Sequence, residues 1–261
     1  MKKATYIHGT EPEEQERLAA LNRLSNPDFI SFLEIHAGEK ILEIGSGLGI
    51  LADQISKETG VSVTGLELSE NQLAQARTLD SSVTWIQGDA HSLPFEEHSF
   101  DVVYCRYILE HVADPLAVMA EAYRVLKPGG RFYTQENNIE IHQTWPDCPQ
   151  FLRLWGIFGK LQTDLGGDAY VGKKLFAMAS TIGFKNPKVS IHPEVYGYGE
   201  DAYQRWIQNM IGLVESAKAA LLKPQYASQD LFDDAVKELR ELSQNPTGSV
   251  YFYWNRLSAV K

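Results

Sequence analysis

Lys40–Gln54 reads KILEIGSGLGILADQ. Ile41–Ile44, with Ile41, Leu42 and Ile44 apolar, reads as a strand. Gly45, Gly47 and Gly49 follow at alternate positions, and Ile50–Glu58 then carries a helical pattern closed by Gly60. A glycine turn between strand and helix brings backbone N–H groups up to a ligand at the helix start. The dinucleotide fingerprint is G-x-G-x-x-G, whereas this turn is G-x-G-x-G, its last glycine one residue early. An oxidoreductase that binds a dinucleotide is therefore disfavoured, and a purely structural turn stays open.

Outward from this turn, strand and helix patterns alternate. Val61–Glu67 is the next strand, and the capping box Ser69-Glu70-Asn71-Gln72 opens a helix after it. Val83–Gly88 and Asp101–Tyr104 read as strands. Asp114-Pro115 starts a helix that ends at Lys127-Pro128-Gly129-Gly130, and Arg131–Glu136 is a fifth strand. Five strands with short helical crossovers predict a parallel, doubly wound α/β sheet.

Upstream, Thr10-Glu11-Pro12-Glu13 caps a helix carrying Leu18, Leu21 and Leu24, and Asn26-Pro27 restarts a second helix ending near Gly38. Downstream, Asn137–Tyr170 is rich in Trp and Phe without clean alternation. Val171–Ile182 reads as a helix, Pro187–Val195 as a strand, Asp201–Leu222 and Gln229–Leu242 as helices, and Ser249–Asn255 as a last strand. We expect a helical N-terminal lid (1–38), a ligand-binding core (39–136) and a remainder (137–261) that covers the strands' carboxyl ends, all within one domain.

Composition narrows the function classes. The formal charge is −10 with no basic run, which argues against nucleic acid and anionic membrane as partners and favours a small molecule. No stretch approaches the ~20 apolar residues of a membrane span, and MKKATYIHGTEPEEQ lacks the apolar region of a secretory signal. A cytoplasmic location is expected. Cys105 and Cys148 are the only cysteines, and neither stands at a metal-ligand spacing from histidine.

Two carboxylates keep company with the glycine turn. Glu67 ends the second strand 22 residues beyond Gly45, where a ribose-binding carboxylate belongs. Asp89 lies a further 22 residues on, after the third strand, where it can accept from an exocyclic adenine amine. No Lys or Arg stands in the turn to neutralise phosphate. The ligand these residues suit is an adenosine without phosphates, such as S-adenosylmethionine.

ILEIGSGLG, LELS, GDAHSLPF, FDVVYCRYILEHVADP and LKPGGRFYTQE stand in order from Ile41 to Glu136. Together they resemble the motifs of class I S-adenosylmethionine-dependent methyltransferases, in particular the ubiquinone/menaquinone-type group of small-molecule enzymes. The start, YIHGTEPEEQERL, is similar to the N-terminal lid of some stand-alone bacterial members. The resemblance implies a Rossmann-like, seven-stranded sheet, parallel but for one strand, with helical insertions. It also implies that Gly45, Ser46 and Gly47 lie along the methionine part of the cofactor. Glu67 would bind the ribose hydroxyls with Leu68 beside the adenine, Asp89 and Ala90 would hold the adenine edge, and Cys105 and Arg106 would pass under the methionyl group. Glu43 is similar to the acidic residue that orients the cofactor's ammonium group. Its alternative role is a strand carboxylate that ties down the turn.

Missing parts exclude several subclasses of the family. Tyr104-Cys105-Arg106-Tyr107 stands where amino-group enzymes of adenine or glutamine carry an Asn/Asp-Pro-Pro-aromatic loop. Cys148-Pro149 reverses the Pro-Cys order of cytosine C5 enzymes. Cys105 and Glu136-Asn137 replace the acidic ligands of metal-dependent catechol enzymes, so no metal is expected.

The expected activity is methyl transfer to a small organic molecule with an aromatic or apolar part. An aminopropyl transferase using the decarboxylated cofactor, or a non-catalytic binding module, are the alternatives. Base candidates are Tyr6 and His8 in the lid, His111 after the fourth strand, and Glu136 at the carboxyl end of the fifth, with His142 and His192 harder to place. Trp145, Phe151, Trp155 and Phe158 either line an apolar pocket or form a helix's core face. Tyr251 and Tyr253 share one face of the last strand, Phe252 and Trp254 the other, and one of those faces is core.

Overall fold

The structure, a computed structural model, describes residues 26–261. Among the described residues, 26–32 are helical and belong to α1, which ends short of the expected Gly38, and the chain then reaches the sheet through an irregular stretch. β1 (Lys40–Ile44), β2 (Ser62–Glu67), β3 (Thr84–Gln87), β4 (Phe100–Arg106) and β5 (Leu126–Glu136) pair in parallel in the order β3-β2-β1-β4-β5. The strand order reverses direction at β1 and β4, which opens a crevice at their carboxyl ends. Helices α2 (Ile50–Thr59), α3 (Glu70–Ala76) and α4 (Pro115–Val125) make the crossovers. Ser69 and Asp114 cap α3 and α4 by accepting from the backbone N–H groups of Gln72 and Ala117.

Beyond β5 runs β8 (Ser249–Val260), antiparallel to it, and β7 (Lys185–Gly197) pairs with the far side of β8. The expected sheet is present, and β6 (Gln143–Trp145) adds a short eighth strand against the start of β8. α5 (Pro149–Asp164) occupies the stretch that shows no clean pattern in the sequence. α6 (Leu175–Ile182) begins later than expected, after a tight turn over Val171–Lys174. Gly172 causes the break: its N–H donates to Asn137 O at 2.9 Å, and a Cβ there would lie 2.5 Å from the same oxygen. α7 (Asp201–Ser216) and α8 (Lys218–Leu221) divide at Ala217, and α9 (Gln229–Gln244) completes the cap.

Two cores cover the sheet. Leu42, Ile44, Val103, Phe132 and Leu257 pack with α4 and α6, while Ile41, Val102, Tyr104 and Tyr133 pack with α1 and α2. A third core joins α5, α7 and α9 to Val250 and Phe252 of β8. β8 therefore serves two cores. Its odd residues Leu257 and Ala259 are buried in the sheet, and its even residues Val250 and Phe252 under the cap. Phe151, Trp155 and Phe158 belong to the cap core, whereas Trp145 is 61% exposed. No helix among the described residues is long and apolar enough to cross a membrane.

Candidate active site

The glycine turn is held by β2. Gly45 and Ser46 both donate to Leu66 O, at 2.8 and 2.9 Å. The Glu67 carboxylate takes the Gly47 N–H at 2.9 Å on one oxygen and the Ser69 N–H at 2.8 Å on the other. Gly45 has φ 73°, and a Cβ there would meet Ile108 Cδ1 at 2.1 Å, so both conformation and space demand glycine. Gly49 explains the early third glycine. At φ 77° it caps α2, and a Cβ would strike the Trp85 ring at 2.4 Å. A carboxylate has about four acceptor positions, so Glu67 keeps lone pairs beyond its two backbone donors.

Beneath the turn lies a buried carboxyl. Glu43 is enclosed at the end of β1, and its Oε2 and the Ser46 Oγ find no hydrogen-bond partner among the described residues. Burial pushes the Glu43 pKa up to about 8, against the opposing pull of the Arg106 guanidinium. These orphaned acceptors suit a buried cationic donor, such as the ammonium group of a methionyl ligand. Leu68, 58% exposed at the lip of the crevice, offers an apolar face. Asp89 accepts from the His91 backbone at 2.9 Å and pairs with its Nδ1 at 2.7 Å, with Ala90 half-buried beside it.

Cys105 and Arg106 contribute differently from expectation. The Cys105 thiol is buried and lies 3.3 Å from Thr134 Oγ1, and burial drives its pKa well above the ordinary thiol value. The Arg106 guanidinium donates to Asn26 Oδ1 at 2.7 Å and lies over the Phe29 ring, under α1. Both side chains therefore have structural partners, and the Arg106 guanidinium also acts on the Glu43 carboxyl.

Glu136 requires a correction. It was expected to face the substrate side, but it is wholly buried and satisfied by the chain. Its oxygens accept from the backbone N–H groups of Ile108, Leu109 and Glu110 at 3.2, 3.1 and 3.3 Å, and from Thr134 Oγ1 at 3.0 Å. Burial, reinforced by Glu110, pushes its pKa up to about 8. The side chain shapes the 108–110 turn instead of reaching a substrate. His111 ends that turn. Its Nδ1 lies 3.3 Å from the Gln162 amide nitrogen, and its Nε2 lies 3.9 Å from Glu110 Oε1. Tyr6 and His8 lie outside the described residues.

Comparison with known proteins agrees with this geometry. Residues 42–134 match the family model described as a methyltransferase domain. The matched core is a methyltransferase domain of the class I S-adenosylmethionine-dependent kind. It is 40% identical over 138 residues to the chloroplastic 2-phytyl-1,4-beta-naphthoquinone methyltransferase of Arabidopsis thaliana, covering 49% of this chain and 51% of that one. Among solved structures it resembles phosphoethanolamine N-methyltransferase 2 of Haemonchus contortus, in complex with phosphomonomethylethanolamine and S-adenosylhomocysteine. That match has 25% identity and a TM-score of 0.57, over 95% of this chain and 53% of the other. The YcgJ protein of Bacillus subtilis shares the fold at 21% identity and a TM-score of 0.60, over 92% and 98% of the two chains. The chain spans about half the length of the curated relatives it matches.

Past the end of β4 lies a second group of residues, of which the sequence singles out Trp254 and His192 but not Tyr107, Glu194, Asp28 or Arg256. Tyr107, at φ 60°, follows β4, and its ring lies 4.3 Å from that of Trp254. The Trp254 indole donates to Glu194 Oε1 at 2.6 Å, and burial raises the Glu194 pKa. Asp28 of α1 pairs with His192 Nδ1 at 3.0 Å and with Arg256. These groups come from β4, β7, β8 and α1, and no local motif links them. Among the described residues no group of three His, Cys, Asp or Glu side chains could hold a metal.

Proposed function

We propose that the chain transfers a methyl group from S-adenosylmethionine to a small organic acceptor with an aromatic or apolar part. The observation that carries the cofactor half is the pair of orphaned, buried oxygens of Glu43 and Ser46 below a glycine turn pinned by Glu67. In this reading Gly45, Ser46 and Gly47 cradle the methionyl part, Glu43 meets its ammonium, Glu67 takes the ribose, and Leu68, Asp89 and Ala90 take the adenine. When bound, the cofactor supplies a methyl group already activated on a cationic sulfonium.

What remains for the chain is alignment, exclusion of water and, where the acceptor needs it, removal of a proton. His111 is the base candidate among the described residues, its ring held between Gln162 and Glu110. Glu136 supports it by shaping the turn that carries it. Tyr6 and His8 are retained as lid candidates. The aromatic wall of Tyr107, Trp254 and Phe252 supports an apolar or aromatic acceptor. None of the relatives reported above favours the aminopropyl alternative.

The test is calorimetric binding of S-adenosylmethionine, followed by tritiated methyl transfer to fractionated small-metabolite extract. Submicromolar to micromolar binding and a labelled small product are expected, with EDTA leaving the transfer unchanged. Absence of binding sinks the reading, and loss of transfer with EDTA, restored by magnesium, would place the chain in a metal-dependent subclass.

A further inference from the structure

Polar side chains in the cap core find partners within the chain. The Tyr203 hydroxyl donates to Leu242 O at 2.6 Å, and the Gln162 amide donates to Glu110 O at 3.1 Å. One spot departs from this rule. Both ring nitrogens of His142 and the indole nitrogens of Trp155 and Trp206 have no hydrogen-bond partner among the described residues. The three residues are only 5%, 3% and 4% exposed, so bulk water does not serve them. They form one cluster. The His142 ring lies 4.7 Å from Trp155 and 5.5 Å from Trp206, and stacks on Phe252 at 4.4 Å.

Buried hydrogen-bonding groups in folded proteins are almost always paired, so several orphans in one cluster point to a group the described residues do not supply. The cluster also states what that group is. A neutral imidazole has one N–H and one lone pair, and two indoles add two N–H groups, which makes three donors to one acceptor. The matching ligand is rich in acceptor oxygens. Burial holds the imidazole neutral, with its pKa pushed down to about 3. The rings in contact with it, Phe151, Trp155, Trp206 and Phe252, are aromatic and uncharged. A charged ligand group would have no counter-ion among them.

The cluster is also joined to the methyl-transfer end of the sheet. Phe252 touches Trp254 at 4.7 Å, and Trp254 touches Tyr107, the residue after β4, at 4.3 Å. α5 spans the same gap. It carries Trp155 at the cluster and Gln162 at His111, seven residues apart, or ~10 Å along a helix.

We propose that His142, Trp155 and Trp206 form a recognition site for the uncharged, oxygen-bearing end of the methyl acceptor, their N–H groups donating to its oxygens. The proposal rests on the methyl-transfer reading and names the chemical class of its acceptor. It separates this chain from the Haemonchus contortus enzyme, whose bound phosphomonomethylethanolamine carries a charged phosphate.

The test uses the full chain with ¹⁵N-labelled tryptophan and three probes on one ring system. These are 2-acetylnaphthalene (neutral ketone), 2-naphthoate (anion) and 2-(aminomethyl)naphthalene (cation). The ketone is expected to shift the indole signals of Trp155 and Trp206, and the two charged probes to bind at least 10-fold more weakly. His142→Phe should weaken the ketone by about 10-fold while raising Tm, because an apolar ring replaces an unpartnered imidazole. Should that variant misfold, Trp206→Phe removes one donor, keeps an aromatic ring, and should weaken the ketone likewise. The proposal is overturned if no probe moves either indole, if a charged probe binds as well as the ketone, or if both variants bind the ketone like the parent. S-adenosylhomocysteine calorimetry on the same samples separates the two readings. Its failure sinks methyl transfer itself, whereas its success without ketone-dependent shifts sinks only the acceptor site.

Discussion

Glu67 and His142 are both buried polar side chains near the carboxyl end of the sheet, but the chain treats them oppositely. Each oxygen of Glu67 holds a backbone N–H, so the cofactor-side loops are tied in place before any ligand arrives. His142 holds nothing, and its neighbours Trp155 and Trp206 are likewise unpartnered. The cofactor half is preorganised by hydrogen bonds, whereas the cap half is preorganised by ring packing and leaves its donors for something else. Preorganisation of the first kind fixes one ligand closely; the second kind fixes shape and polarity and lets the acceptor vary.

The largest expected effect belongs to neither half. Both lie at an open sheet end, and Tyr6-Ile7-His8-Gly9, ahead of a well-capped helical pattern, is the candidate to cover them. Deleting residues 1–9 should lower transfer by ~10–1000-fold through poorer alignment, with Tm nearly unchanged. Tritium-transfer kinetics beside thermal unfolding check this, and a truncated chain with full turnover removes Tyr6 and His8 from the site.

Next in size is Glu67→Ala. Removing the carboxylate costs a charged acceptor for the ribose and unties Gly47 and Ser69. S-adenosylmethionine binding should weaken by ~1.5–3 kcal/mol, or roughly 10–100-fold. In the cap, by contrast, a variant of similar size should leave cofactor affinity alone. Phe252→Leu, under the cap and beside His142, should raise KM for the acceptor without moving the cofactor Kd. Equal losses in both affinities would break the division between the halves.

That division also explains what was legible in the sequence. The glycine turn, Glu43, Glu67 and Asp89 sit at fixed offsets within one alternating strand–helix run, so spacing alone brings them to the same sheet end. Glu136 was misread from the same rule. Its strand position is right, but the three N–H groups that claim it come from the 108–110 turn, which the strand pattern does not reveal. The proposed acceptor wall is harder to read in the sequence, for a different reason. Tyr107, His142, Trp206, Glu194 and Trp254 meet only because β8 carries core on opposite faces along its length and because α5 and α7 fold onto its upper half. Aromatic spacing in α5 gave core and pocket equal support, since the same face serves both.

The smallest effect is a pH dependence that tests how the cofactor half is completed. Burial raises the folded-state pKa of Glu43 from 4.5 to about 8, so at neutral pH the carboxyl keeps its proton. A ligand that brings a cation to the orphaned Oε2 favours the ionised form, so binding releases a proton and tightens as pH rises toward 8. Between pH 6.5 and 8 the affinity for S-adenosylmethionine should increase by ~3–10-fold and then level off. Folding without ligand has the opposite sign. The unfolded chain loses this proton near pH 4.5 and the folded chain retains it to about 8, so Glu43 withdraws stability as pH rises through that window. Glu43→Gln should flatten both profiles, leaving binding weak but pH-independent and unfolding less sensitive to pH. Calorimetry in buffers of different ionisation enthalpy reads the released proton directly. If the parent binds without proton release, and Glu43→Gln binds equally well, the carboxyl is a strand residue that ties down the turn, and the ammonium must be held by something else.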